Sequence, residues 1–350
     1  MKKFIYFFLI IAPLISCKEE EKSEDANILS YSVTASSSPL LNMPKIIFNE
    51  ENKIISLFSA DDLPDDIFPV SLTPEMAISN HATINPESGT EITFPDKDSY
   101  ILYTVTAENG TEVNWYVLLK DNQLPDAGFD DWFEALGLNN QVFMQPGRSL
   151  ETTIWATANI GTSIYGVYCT NPLIDGTNTL AEIITGETST VPLTAGTLFT
   201  GKFDVAGAIN NPTNPEEATD FGIPFIYRPV ALRFEYSYQA GDDYIMGILN
   251  DPNDIFGGFT VNHLEGNDCC KIYSYLESRN DDLIITIAQF EYISGNTQND
   301  LTEVTIPYTY FSESQPTHLS LVFTSSKDGH LYTGSVDSRL IIDNLGFIYE

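Results

Sequence analysis

The chain has 350 residues, 43% of them hydrophobic, with 16 basic against 49 acidic side chains and a net charge of −33. That acid excess excludes nucleic acid, whose phosphates need a basic patch, and it repels anionic membranes and polyanionic glycans, so a neutral polymer is the better-suited ligand. The length exceeds what one hydrophobic core usually serves, and two folding units are expected.

Lys2 and Lys3 precede an apolar run from Phe4 to Ile15, the layout of a secretory signal peptide. Pro13 interrupts the run and Lys18 ends it, short of the roughly 20 apolar residues of a spanning helix. Leu14-Ile15-Ser16-Cys17 resembles the lipobox of bacterial lipoproteins. Removal of residues 1–16 then leaves an acylated Cys17 as the first residue, and more than one acyl chain makes a stable anchor. Residues 17–26 include Lys18-Glu19-Glu20-Glu21-Lys22-Ser23-Glu24-Asp25, too polar to fold and suited to a tether. This start resembles the acidic export signal of surface lipoproteins in the Bacteroidetes. The location it implies is the outer membrane, lipid-anchored, at the cell surface.

Between residues 27 and 121, Ile28 to Val33, Ile46 to Phe48, Ile54 to Phe58 and Ile92 to Phe94 read as short strands divided by Pro, Asp and Asn. Thr104-Val105-Thr106 and Val113 to Val117 flank Glu108-Asn109-Gly110-Thr111, and Asn-Gly accepts the positive φ of a tight turn, so this is a hairpin. Some seven strands without a Cys-Trp-Cys pattern suggest an immunoglobulin-like β-sandwich. Residues 122–128 carry Pro125 and Gly128 in polar sequence, as a linker would.

From residue 129 to 350 the β character continues. Leu232, Phe234, Tyr236 and Tyr238 alternate with polar residues, as do Leu319, Leu321 and Phe323, which marks half-buried strands with Tyr236 and Tyr238 in the core. Leu283 to Ala288 reads as an inner strand, and Arg339 to Ile342 with Phe347 to Tyr349 would close the sheet. Short helices are expected only near Asp131 to Leu136 and Pro215 to Thr219. The fold class is therefore all-β, with an N-terminal immunoglobulin-like β-sandwich followed by a β jelly-roll domain.

Catalytic signatures are absent: there is no Gly-x-Ser-x-Gly, no Walker loop, no dinucleotide glycine pattern and no His-Glu-x-x-His. Glycoside hydrolysis needs only two carboxylates, and the pairs Asp130-Asp131, Asp242-Asp243 and Asp281-Asp282 sit in turn-like sequence where acids commonly make Asx turns. No cofactor is implied. A structural calcium is the one ion the acidic loops suit, through Asn250-Asp251-Pro252-Asn253-Asp254 or Asp343-Asn344, without EF-hand spacing. Cys169, Cys269 and Cys270 are an odd set that cannot all pair, and buried free thiols serve equally well. Sugar recognition wants a flat ring with planar polar groups around it. The candidates are Trp155 with Asn159, Trp132, and Phe225, Tyr227 and Arg228, each set against the commoner use of aromatics in a sandwich core.

Several segments, in order, resemble the putative carbohydrate metabolism domain of Bacteroidetes lipoproteins. They are Phe129-Asp130-Asp131-Trp132, Trp155-Ala156-Thr157-Ala158-Asn159, Gly196 to Phe203, Phe221 to Pro229, Phe323 to Gly329, and Asp343-Asn344-Leu345. The first unit looks like the immunoglobulin-like module often placed before it. The resemblance implies a jelly roll similar to carbohydrate-binding modules and a role in glycan uptake or metabolism beside other outer-membrane proteins, and it implies no established reaction. The expectation is a tethered glycan-binding protein in which Trp155 stacks and Arg228 and Asn159 donate to hydroxyls. A glycan-acting hydrolase and a structural or adhesive envelope lipoprotein are the alternatives.

Overall fold

A computed structural model describes residues 22–59, 63–204, 219–280 and 283–349. The signal peptide, Cys17 and the start of the tether lie outside the described residues, as does most of the expected helix at Pro215 to Thr219, where Thr219 instead opens the strand Thr219–Phe221. Among the described residues no helix is long and apolar enough to cross a membrane. Buried apolar side chains gather in two large clusters, one spanning Ala26 to Leu119 and the other Leu124 to Phe347.

The first unit is built of two sheets. Three strands run in the order Ile28–Ser36, Val70–Ile78, Ile92–Phe94, and five in the order Lys45–Asn49, Ile54–Phe58, Glu112–Lys120, Tyr100–Thr106, Thr83–Asn85. Alternation turns Tyr103, Val105, Trp115, Val117 and Leu119 inward and leaves Tyr100, Leu102, Thr104, Asn114 and Tyr116 on the outer face. Rings such as Trp115 and Tyr103, fully buried here, each contribute about 4–6 kcal/mol from area removed from water, before ordering entropy. The hairpin turns at the expected place by a different geometry. Only Gly110 takes a positive φ, at 92°, while the Asn109 side chain accepts the Thr111 N–H at 2.9 Å and Ala107 N–H bonds Thr111 O at 2.8 Å. A three-residue loop closed by one glycine thus replaces a two-residue Asn-Gly turn.

In the second unit an eight-stranded sheet faces a five-stranded one across the larger cluster. The main path of the larger sheet is Trp155–Thr157, Thr197–Phe203, His318–Thr324, Cys270–Asn280, Leu283–Ser294, Thr309–Tyr310. The smaller sheet runs Thr170–Asp175, Asn178–Ile184, Arg339–Ile348, Ala231–Gln239, Gln298–Pro307. Tyr236 and Tyr238 are buried in the core between them.

Four expectations are corrected here. Trp132–Leu136 is a strand rather than a helix, because it pairs antiparallel with Val142–Pro146 and that pairing outweighs the helix propensity of Glu134-Ala135-Leu136. His318–Thr324 is buried on both faces, since Val322 is covered from outside by Ala156, Phe199, Phe203, Phe221 and Tyr273. The inner strand expected at Leu283 to Ala288 begins exposed, with Leu283 at 58% and Ile284 at 59%. Its hairpin with Cys270–Asn280 overhangs the neighbouring strand, which starts at His318 opposite Glu277. Finally, Arg339–Ile348 is one continuous central strand, paired to Asn178–Ile184 and Ala231–Gln239, and does not close an edge.

The joining segment is docked along its length. The Gln123 side-chain amide donates to Phe347 O at 3.0 Å and accepts the Phe347 N–H at 2.7 Å, in place of a strand neighbour's backbone, and Tyr349 donates to the Asn122 carbonyl. Tyr227 reaches across, its hydroxyl donating to Ser59 O at 2.7 Å and its ring 6.0 Å from that of Phe58.

Candidate functional site

The residues expected to bind sugar are separated by the fold, and most of them are spent inside it. Trp155 is 1% exposed, its ring 5.1 Å from that of Phe129 and its indole N–H donating to Pro125 O at 3.2 Å. Asn159 is 0% exposed; its amide donates to Thr170 O and accepts from the N–H groups of Cys169 and Thr170, so it knits a turn and offers nothing to a ligand. Phe225 is buried against Tyr227 and Phe347. Neither stacking by Trp155 nor donation by Asn159 is compatible with this burial. Trp132 is half-buried, its N–H donating to Phe129 O at 2.7 Å. Tyr227 serves the junction described above. Arg228 lies 4.3 Å over the Tyr310 ring and donates to the carbonyls of Ser312 and Ser314, which pins that loop.

An arrangement better suited to a saccharide lies on the outer face of the eight-stranded sheet. Cys270–Asn280 turns Ile272, Ser274 and Leu276 into the core, leaving Tyr273 and Tyr275 half-buried on the outside with ring centroids 5.8 Å apart. The register sets Glu291 opposite Tyr273 and the exposed Gln289 opposite Tyr275 on one neighbour, with Val322 and Ser320 on the other. Lys271 stands 4.9 Å from the Tyr273 ring centre and 2.7 Å from Glu291. Farther along, Arg279 bonds Glu277 at 2.7 Å, Phe221 O at 2.7 Å and Ser320 Oγ at 3.2 Å. His318, opposite Glu277, is held below its ordinary value by burial and then by Arg279, so its imidazole is neutral near pH 7. The face is thus an aromatic pair bordered by an amide and by charges already compensated in pairs.

Chemistry by acid catalysis finds no support on this face. The carboxyls raised by burial are, among the described residues, Asp98, Asp126, Asp268 and Asp343. The first two lie at the junction of the units, Asp268 is enclosed by hydroxyls, and Asp343 belongs to the other sheet. No group of three or more His, Cys, Asp or Glu among the described residues could hold a metal ion. In the acidic loop considered for calcium, Asp251 and Asp254 accept the N–H groups of Asn253 and Phe256 at 3.0 and 2.9 Å, which is turn chemistry. Cys169, Cys269 and Cys270 are free thiols.

The segments that carried the family resemblance mostly build scaffold. Thr185 Oγ1 lies 2.7 Å from Ser325 Oγ and 2.6 Å from Ser326 Oγ, and Ser326 donates in turn to Asp268. Gly196 lets two strands approach, since a Cβ there would stand 2.6 Å from Cys169 O and 2.7 Å from Ile184 O. Tyr273 and Tyr275 fall outside these segments.

At the junction Arg148 joins Asp131 of the second unit, at 3.0 Å, to Asp96 and Asp98 of the first, at 3.2 and 3.4 Å. The gap beside it, lined by Leu63, Lys97, Asp98, Lys120 and Leu124, holds only about 20 Å³, too little for a ligand. Burial, then Asp98, pushes Asp126 up to about 6. This is above the roughly 3.9 of an unfolded aspartate, so the native state takes up the proton first, and the contribution of Asp126 to stability is present below pH ~4 and lost as pH rises through ~6. Asp126→Asn should therefore raise stability by roughly 1–2 kcal/mol at pH 7.5, discounted for partial exposure, and by little at pH 4. Urea midpoints at the two pH values check this, and an equal gain at both would remove charge as the cause.

Comparison with known proteins follows the same outline. A crystal structure described as a putative glycoside hydrolase from Bacteroides thetaiotaomicron covers 95% of this chain and 99% of its own, at 26% identity and a TM-score of 0.54. Another so described, from Bacteroides vulgatus, covers 64% of this chain and 97% of its own, at 19% identity and a TM-score of 0.52, a likeness of fold alone. Comparison with curated proteins finds no match. Residues 128–348, well over half of the chain, match the family described as Putative carbohydrate metabolism domain, and the chain belongs to that family.

Proposed function

We propose that the protein binds neutral glycans through the outer face of the eight-stranded sheet, with Tyr273 and Tyr275 as the stacking surface and Gln289 as the planar polar partner. The observation that carries this is the half-buried tyrosine pair on the outer face, 5.8 Å apart, on a strand that holds its own charges in ion pairs, Lys271 with Glu291 and Arg279 with Glu277. The acid excess of the chain disfavours polyanions, and membership in a carbohydrate family supports sugar as the ligand class. In this reading the second unit is a jelly roll and the first an immunoglobulin-like module. The acylated Cys17 holds both at the outer membrane, facing outward beside the uptake proteins it serves.

The test is retardation of the protein in gels containing neutral polysaccharides. Tyr273→Ala with Tyr275→Ala should weaken retention about 30-fold, on the order of 2 kcal/mol for two buried-on-binding rings. Wild type and variant migrating alike on every neutral glycan would end this reading. The description of the Bacteroides thetaiotaomicron structure supports a second, hydrolytic reading, which release of reducing sugar from a retained glycan would establish.

A further inference from the structure

The five-stranded sheet of the first unit is covered on only part of its outer face. Ser56, Phe58 and Leu118 are buried there, with Phe58 against Tyr227 of the second unit. Beyond Leu118 the face is open. Register places Tyr100 opposite Leu118, Leu102 opposite Tyr116, Thr104 opposite Asn114 and Thr106 opposite Glu112, so these outward side chains form one shelf. The rings of Tyr100 and Tyr116 meet at 5.3 Å and 70°, and Tyr100 is 42% exposed. Next to them an open depression of about 340 Å³ is lined by Thr83, Ile84, Asn85, Thr104, Thr106 and Glu112. Thr104 donates to Asn114 Oδ1 at 3.0 Å, which leaves the Asn114 amide nitrogen as a donor. The second unit borders the shelf: burial and then the Glu151 carboxylate raise the Tyr116 phenol.

We propose that this shelf is a second saccharide-binding surface, so that the first unit is a binding partner of the second and not a spacer. The occupant is a segment of neutral polysaccharide. Aromatic rings at one end give its apolar faces a seat, and hydroxyl and amide side chains, repeating about 7 Å along each strand and about 5 Å between strands, meet its hydroxyls. The depression has the size of a ligand site. Lysine and arginine do not line it, and Glu112 does, so an anionic polymer is disfavoured. This inference goes beyond the reading of the larger sheet and stands or falls separately from it.

Titration calorimetry with a neutral oligosaccharide that the intact protein retains, laminarin- or cellulose-derived, distinguishes the two. The expected result is two sites per chain, reduced to one by Tyr100→Ala with Tyr116→Ala and to one by Tyr273→Ala with Tyr275→Ala. On the polymer, losing the first-unit pair should weaken retention at least 10-fold, because two linked sites gain by effective concentration. Thr104→Arg fills the depression without touching a core residue and should act in the same direction. If the first-unit variants keep wild-type stoichiometry and retention, the shelf is not a sugar site, whatever the larger sheet does. If only the first-unit pair matters, this inference stands and the proposed site on the larger sheet is lost. Matching circular dichroism melts exclude loss by unfolding.

Discussion

Replacing Trp155 by alanine should destabilise the second unit by roughly 3–5 kcal/mol, the range for truncating a buried aromatic. The indole is enclosed in the larger core, set against Phe129, and its N–H is satisfied by Pro125 O in the segment that joins the units. Its backbone carbonyl accepts the Gln145 amide at 2.6 Å, and its strand pairs with Thr200, so the cavity left behind cannot collapse without breaking both. Trp155→Phe keeps most of the apolar burial and gives up the N–H bond, and should cost about 1–2 kcal/mol. Urea unfolding followed by far-ultraviolet circular dichroism measures both. An unchanged midpoint for Trp155→Ala together with lost glycan retention would mean that the ring stacks on sugar after all.

Trp155 also shows where sequence stops being informative. A tryptophan flanked by small polar residues fits a sugar platform or a core equally well, and the choice depends on which sheet lies above it, a matter of long-range pairing. The strands at Ile54–Phe58 and Ile92–Phe94 were legible to the residue, because each is bounded by polar turn sequence on both sides. Trp132–Leu136 was not, since a five-residue stretch has too little periodicity to outweigh helix-forming composition, and only its partner Val142–Pro146 decides the matter.

The outward-turned pair Tyr273 and Tyr275 was missed for a related reason. In Ala231–Gln239 the aromatics of the alternating pattern face the core, whereas in Cys270–Asn280 it is Ser274 that turns inward, fully buried, its hydroxyl 2.7 Å from that of Tyr308 and donating to Ser320 O at 2.8 Å. Period two shows that Tyr273 and Tyr275 share a face. It does not say which face is wet, because a buried serine satisfied by a tyrosine reads in sequence as an exposed one. The signal that could have found them is the apolar set Cys270, Ile272 and Leu276, which flanks Ser274 at the same parity.

Asp268→Ala is expected to cost about 3–4 kcal/mol, because a buried acceptor of several charge-assisted hydrogen bonds leaves donors behind when it goes. The carboxylate accepts from Cys269 N–H at 2.7 Å, Ser335 N–H at 2.9 Å, Ser338 Oγ at 2.8 Å and the Ser326 hydroxyl. The two hydroxyls can turn toward other acceptors. The two backbone N–H groups cannot, and Ser335 belongs to the small strand Thr333–Ser335 that pairs with Tyr244–Leu249, so its loss of a partner loosens that sheet from the core. Asp268→Asn keeps one oxygen but sets an NH2 group against an N–H donor whichever way the amide is turned, and should cost about half as much. Thermal melts give the two costs, and amide exchange at Ser335 should rise in both variants. Melting of Asp268→Ala within a degree of wild type would show that the donors find other partners. Because this network joins the Ser325-Ser326 segment of the family pattern to the core rather than to the tyrosines, Asp268→Asn should retain glycan as wild type does below its melting point. A loss of retention in that folded variant would move the binding site toward the network and away from Tyr273 and Tyr275.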